Sequence, residues 1–189
     1  MSETTKSGIK KWGILAEKTV YECEPWIRLN VQKIELPDGN IVDNYHHLVM
    51  PEYVVVFPVT SDKKAVMLKS YRHGVRDITH IFPGGFIDKL ESPLDAAKRE
   101  LLEETGYKYG HWQSMSTYVP HSNYGCGKVH MFEVRGVCKV QEPKSGDLET
   151  AEVHLLTQNM VNNYLSEDRI ATLSSISVLL LGINRKIFD

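Results

Sequence analysis

The segment that most restricts the fold is GGFIDKLESPLDAAKRELLEETGYKYG, Gly84 to Gly110. It holds one helix whose two ends are both written into the sequence. Ser92 is a strong N-cap, and Pro93 takes the first helical position, where its missing N–H costs nothing. Asp95 falls in the first turn, on the favourable end of the helix dipole. Gly106 is placed for a left-handed C-terminal cap. Leu94, Ala97 and Leu101 recur at helical spacing, so one stripe must be buried. Glu100, Glu103 and Glu104 lie three and four residues apart and can share a face. Like charges at such spacing repel by roughly 0.2–0.5 kcal/mol per pair. A divalent cation relieves that repulsion, and hard carboxylate oxygens suit Mg²⁺ or Mn²⁺.

Acidic residues on a helix most often form nothing more than a solvated face. Three neighbours set this helix apart. Arg99 can hold a glutamate in place or contact phosphate. Glu91, just before the helix, can point back at the same face. Gly84-Gly85 lets the backbone approach a ligand closely.

Around this helix the pattern is mostly strand-like. The stretch from Thr19 to Lys69 reads as strands, with Trp26–Leu36 and Ile41–Met50 flanking PDGN, whose Asp38-Gly39 is a hairpin signal. Tyr53–Thr60 is an apolar run of buried-strand length, and SDKK turns it back into Ala65–Arg72. HIFPGGF brings a short strand into the glycine loop. Further strands are expected over Trp112–Pro120, Lys128–Val140 and Ala151–Thr157, and helices over Gln158–Leu165 and Ile170–Asn184. The polar QEPKSGDLET reads as a loop. Strands, one central helix, strands, then helices make an α+β fold, a helix–sheet–helix sandwich with an extra N-terminal sheet. The expected division is residues 1–50 for the N-terminal β extension and 51–189 for the main domain.

The bulk numbers exclude several classes. A chain of 189 residues with 42% hydrophobic content builds one packed domain with a small extension. A formal charge of −2 supports neither a nucleic-acid polymer nor a membrane surface as partner. Cys23, Cys126 and Cys138 stand far apart, which fits a reducing compartment better than disulfides or zinc. The N-terminus lacks a signal-peptide pattern, and ISVLLLGI is too short to span a bilayer. A soluble cytoplasmic protein is expected. His46 and His47 are adjacent in a strand and face opposite sides. Cys126, between glycines, has no basic partner placed by sequence and is read as a plain loop cysteine.

From Gly85 the chain reads G, five residues, Glu91, seven residues, then RELLEETGY, Arg99 to Tyr107. This resembles the Nudix box, G-x5-E-x7-R-E-U-x-E-E-x-G-U, and departs only at Tyr107, where the family has an aliphatic residue. The resemblance implies a Nudix α/β/α sandwich that hydrolyses a nucleoside diphosphate linked to another group. Glu100 and Glu104 match the principal metal ligands, with Glu103 assisting. Glu91 and Arg99 match positions that brace the helix, and Glu91 can also reach a metal. The carbonyl of Gly84 corresponds to a frequent metal ligand.

The flanks resemble the ADP-ribose and ADP-sugar pyrophosphatase branch. MLKSYRHGVRDITHIFPGGFID is similar to that branch's entry to the box, and Arg72 matches a residue that contacts the diphosphate. The N-terminal hairpin resembles an extra sheet that builds a homodimer and supplies aromatic contacts to the base. Trp26 is the candidate stacking residue, with Tyr45 behind it; sheet packing is the plain alternative for both. DLETAEVHLLT resembles a segment carrying a catalytic glutamate on a loop. Glu149 matches it best, while Glu152 is read as the start of a strand. Two departures weaken the ADP-ribose assignment. His80-Ile81-Phe82-Pro83 stands where the branch often has a glutamate, and VPHSNYGCGKVHMF, after the box, carries no acid. His121, Ser122 and Asn123 are candidate contacts to the terminal sugar. The resemblance thus implies Mg²⁺-dependent (or Mn²⁺-dependent) hydrolysis of a small-molecule nucleotide sugar. Hydrolysis of a nucleoside triphosphate or other diphosphate derivative, or binding without turnover, are the alternatives.

Overall fold

The computed structural model describes residues 8–146, 148 and 150–189. By its contacts the chain falls into two units. One runs to Pro51 and takes in Val119–Gly127; the other is Glu52–Tyr118 with Lys128–Asp189.

The first unit is a three-stranded antiparallel sheet in the order β1(Gly13–Cys23), β2(Ile27–Glu35), β3(Ile41–Val49). The β2–β3 turn forms at the expected place. Asp38 accepts hydrogen bonds from the backbone N–H and side-chain amide of Asn40, and Leu36 N–H donates to Asn40 O. Strand β1 begins at Gly13, earlier than the strand-like reading that started at Thr19. All of its residues are exposed, so no alternation of burial marks it in the sequence. The Val119–Gly127 loop joins this unit through Leu48 N–H to Tyr124 O and Cys126 N–H to Leu48 O.

The second unit is the expected helix–sheet–helix sandwich. Its strands are β4(Tyr53–Thr60), β5(Ala65–Arg72), β6(Asp77–Ile81), β7(Tyr107–Lys108), β8(His111–Tyr118), β9(Val129–Lys139) and β10(Ala151–Leu156). The central path runs β10-β5-β4-β9-β7, with β6 beside β5 and β8 beside β9; β4 and β9 are parallel. Strand β4 is buried on both faces, which explains its unbroken apolar run. Val54 and Val56 pack with Ala96, Ala97 and Leu101 of α1(Pro93–Thr105). Val55, Phe57 and Val59 pack on the other face with Val161 of α2(Gln158–Ser166) and Val178 and Leu179 of α3(Leu173–Asn184).

The short strand ends at Ile81 and leads into the glycine loop as expected, and Phe86 of that loop bridges to Tyr53. One boundary differs from expectation for a tertiary reason. Helix α3 starts at Leu173 and not Ile170. Thr79 Oγ1 donates to Arg169 O and accepts from Ala171 N–H, and His80 N–H donates to Arg169 O. These bonds hold residues 169–171 extended against β6, and Ile170 is buried there.

Candidate active site

Helix α1 forms as its punctuation dictates. Ser92 Oγ accepts from Asp95 N–H at 3.2 Å, and Gly106 adopts φ 74°, with its N–H donating to Leu102 O. The buried stripe of Ala96, Ala97 and Leu101 fixes the rotation of the helix, and Glu104 is carried to the edge of that stripe at 7% exposure.

The glycine loop meets this helix at two points. Gly84 N–H donates to Glu104 Oε2 at 2.7 Å. Gly85 lies against Glu100, where a Cβ would stand 2.3 Å from Glu100 Oε1. A side chain at Gly84 would instead strike the backbone carbonyl of Val54, at 2.1 Å. The loop is held at this depth by Val54 N–H to Gly85 O, Val56 N–H to Pro83 O and Ile87 N–H to Glu52 O. Both glycines are therefore steric requirements of the close approach between loop, strand and helix.

Arg99 gathers the remaining acids. Its Nε and Nη2 donate to the two oxygens of Glu91 at 3.0 Å each. Its Nη1 donates to Glu100 Oε1 at 2.7 Å and Glu103 Oε2 at 3.2 Å, and Nη2 also donates to Phe86 O at 2.9 Å. These bonds hold the guanidinium well above its ordinary pKa, the pair with Glu91 first, and hold the Glu91 carboxyl below the usual carboxylate value.

Among the described residues no three acidic, histidine or cysteine side chains stand in a ready metal-binding geometry. The donor set nonetheless fits a hard divalent cation. Glu91, Glu100 and Glu103 share the one guanidinium of Arg99, and Glu104, bonded to Gly84 N–H, adds a fourth carboxylate, so negative charge is in excess; the missing Cβ of Gly85 lets the Glu100 carboxylate lie directly against the loop backbone.

The expected substrate contacts are more dispersed. Arg72, half-buried, lines a cavity of about 150 Å³ together with Tyr53, Gly84 and Ser174. Trp26 is 56% exposed in the turn before β2. Tyr45 pairs with Gln32, six residues further along the sheet, which places it on the order of 20 Å from Trp26. Its hydroxyl donates to Asn123 O, and its ring packs edge-on to Trp12 at 5.9 Å. Tyr45 thus holds the Val119–Gly127 loop to the sheet and does not stand behind Trp26. His121 stacks on Tyr124, with ring centroids 4.6 Å apart. Glu149 lies outside the described residues. Glu152 is in strand β10, as read, paired with Lys69 at 3.6 Å and His154 at 3.3 Å.

The sequence reading missed Tyr53 and Ser174. Tyr53 opens an apolar strand and Ser174 sits in an apolar helix, so neither carries a local pattern. It also missed Glu52, which accepts from His130 Nε2 at 2.7 Å, while Thr117 Oγ1 lies 3.1 Å from His130 Nδ1. Glu52 is held below its ordinary pKa by that imidazole. The cross-strand register Thr117↔His130 creates this chain, and no sequence spacing reveals it.

An acid-bearing helix clamped against a glycine loop on this sandwich defines a class that comparison with known proteins confirms. Residues 50–170 match the family model for the NUDIX domain, and residues 12–48 match that for the nucleoside diphosphate sugar hydrolase N-terminal domain. The chain belongs to the NUDIX family and is a hydrolase acting on pyrophosphate bonds.

Among its relatives, the methanol dehydrogenase activator of Bacillus methanolicus is 28% identical over 76% of this chain and 78% of its own length. The ADP-ribose pyrophosphatase of Bacillus subtilis (strain 168) is 29% identical over 75% and 80%. The CMP-5'-(N-acetyl-N-hydroxy-3-aminopropyl)phosphonate hydrolase of Streptomyces rubellomurinus (strain ATCC 31215) is 29% identical over 70% and 64%. A crystal structure described as an ADP compounds hydrolase shares the fold at a TM-score of 0.81, with 20% identity, covering 93% of this chain and 94% of that one. No helix among the described residues is long and apolar enough to cross a membrane.

Proposed function

We propose that this protein hydrolyses the pyrophosphate bond of a nucleoside diphosphate sugar resembling ADP-ribose, releasing a nucleoside monophosphate and a sugar phosphate. The observation that carries this reading is the match of residues 12–48 to the N-terminal domain of nucleoside diphosphate sugar hydrolases, added to the box-bearing domain. The similarity to an ADP-ribose pyrophosphatase supports it.

In this reading Glu100, Glu103, Glu104 and the carbonyl of Gly84 hold Mg²⁺ or Mn²⁺, with Glu91 at the margin of the set. When bound, the cation neutralises the pyrophosphate oxygens and stabilises the charge that develops on them. The side chains do the rest. Arg99 fixes the rotamers of Glu91, Glu100 and Glu103, so the carboxylates are oriented before substrate arrives. The Gly84–Glu104 bond keeps the loop carbonyl and the helix in one frame. Arg72 contacts the phosphates and Trp26 stacks on the base. Glu149 is assigned the proton of the attacking water on the strength of the resemblance.

The bonds balance simply. Water oxygen forms a new bond to one phosphorus, the bridging P–O bond breaks, and the bridging oxygen leaves with the electron pair as the phosphate of the second product. One proton of the water is released.

The same reading makes the N-terminal sheet a self-association surface. Strand β1 exposes Ile14, Leu15, Val20 and Tyr21, each at 50% or more, more apolar area than an edge strand normally leaves in water. An assay of ADP-ribose against deoxynucleoside triphosphates, with Mg²⁺ and with Mn²⁺, tests the substrate class. Faster turnover of the triphosphates would overturn it.

A further inference from the structure

The cavity beside Gly84 lies on the α3 face of the sheet, opposite the acidic helix. Gly84 belongs to both sites, because its N–H binds Glu104 and its backbone lines the cavity. A group leaving the carboxylate cluster therefore has this space next to it.

The walls have a consistent chemistry. Val54, Val55 and Phe82 give an apolar floor, and the rim carries hydroxyls and one cation. The guanidinium of Arg72 makes no hydrogen bond or ion pair with any described residue. Tyr53 and Ser174 both line the cavity, and burial holds the Tyr53 phenol above its ordinary pKa, so both hydroxyls keep their protons and can donate as well as accept. Thr172 precedes α3 without capping it, and its Oγ1 is buried with no hydrogen-bond partner among the described residues. A buried hydroxyl left unsatisfied is uncommon and costly, and a polar ligand removes that cost. An unpaired guanidinium beside clustered hydroxyls suits a phosphate carrying a polyol.

We propose that the cavity walled by Tyr53, Arg72, Gly84 and the first turn of α3 is the subsite for the phosphorylated sugar limb of the substrate, with Tyr53, Thr172 and Ser174 as its specificity-determining residues. The inference rests on the nucleotide-sugar reading above and adds which part of the substrate goes where. Arg72 takes the phosphate that becomes the leaving group, and the hydroxyls of Tyr53, Thr172 and Ser174 take the sugar's hydroxyls. Nucleotide sugars then differ in how well the distal sugar meets these three groups.

The test is calorimetric titration of the purified full-length protein, in Mg²⁺, with ribose 5-phosphate and separately with AMP. Tyr53→Phe and Ser174→Ala remove one hydroxyl each without changing the apolar floor. Each is expected to weaken ribose 5-phosphate about tenfold and leave AMP within about twofold. Ser174→Leu fills the space and is expected to abolish ribose 5-phosphate binding while AMP still binds. AMP binding also reports that each variant is folded. Weakened AMP with unchanged ribose 5-phosphate, or no binding of ribose 5-phosphate by the unaltered protein, overturns the assignment. Failure of the unaltered protein to hydrolyse any nucleotide sugar would instead overturn the functional reading, so the two failures are separable.

Discussion

Glu104 Oε2 accepts the backbone N–H of Gly84 at 2.7 Å, joining the last turn of the acidic helix to the loop that enters it. The bond ties a side chain of the carboxylate cluster to the backbone stretch whose carbonyl is assigned to the same site. Substituting Glu104→Gln keeps an oxygen acceptor for Gly84 and removes a negative charge. We expect turnover to fall at least ~100-fold with the thermal midpoint nearly unchanged. Steady-state kinetics beside a melting curve check it, and unchanged turnover would remove Glu104 from the site.

Gly85→Ala probes the same contact sterically. The new Cβ would stand 2.3 Å from Glu100 Oε1. The end of a glutamate side chain can swing away, so the fold should survive while Glu100 is displaced by about 1 Å. Misplacement on that scale costs on the order of 100-fold in rate. Kinetics with Mg²⁺ titrated over a wide range will show both a lower kcat and a higher Mg²⁺ requirement. A variant with ordinary kinetics would mean that Glu100 has no fixed role.

How much of this was legible in the sequence follows from what kind of interaction fixes each part. The acidic helix was legible almost to the residue, because Ser92, Pro93 and Gly106 act through their own backbone. Strand β4 announced itself by apolar content alone. Strand β1 did not, since an edge strand exposed along its whole length has no alternation to read. The start of α3 was misplaced because Thr79, some ninety residues away, holds the preceding linker extended. The Arg99 network follows from local helical spacing, whereas the Tyr53–Arg72–Ser174 cavity assembles from a strand start, a strand end and a distant helix. The bond from the Tyr45 hydroxyl to Asn123 O joins residues far apart in the chain, so no sequence spacing shows it.

Acid should destabilise the second unit through His80. This ring is 2% exposed, lies against Tyr164 at 4.4 Å and His154 at 5.3 Å, and leaves its Nε2 buried without a hydrogen bond. Burial first, then the charge of Arg169, pushes its pKa down to about 4. The unfolded chain takes up this proton near the ordinary imidazole value, about 6.5. Between those two values the unfolded state binds more protons, so stability falls as pH drops from about 6.5 towards 4. Denaturant melts across that window should show the loss, and His80→Phe should flatten the slope. An unchanged slope in His80→Phe would contradict the assignment.

The exposed strand β1 leads us to expect a homodimer at micromolar concentration by light scattering, reduced to monomer by charging the strand at Leu15→Lys and Tyr21→Lys. These side chains are 51% and 56% exposed, so the substitutions disturb no core. A monomeric unaltered protein would count against self-association through this sheet.

The most direct test of the central claim is product analysis in ¹⁸O-labelled water, with Mg²⁺ and a panel of nucleotide sugars headed by ADP-ribose. Hydrolysis of a single pyrophosphate bond predicts a nucleoside monophosphate and a sugar phosphate in equal amounts, with one labelled oxygen in only one of the two. The account would be contradicted by the absence of both products across the panel, or by release of inorganic phosphate as the labelled product.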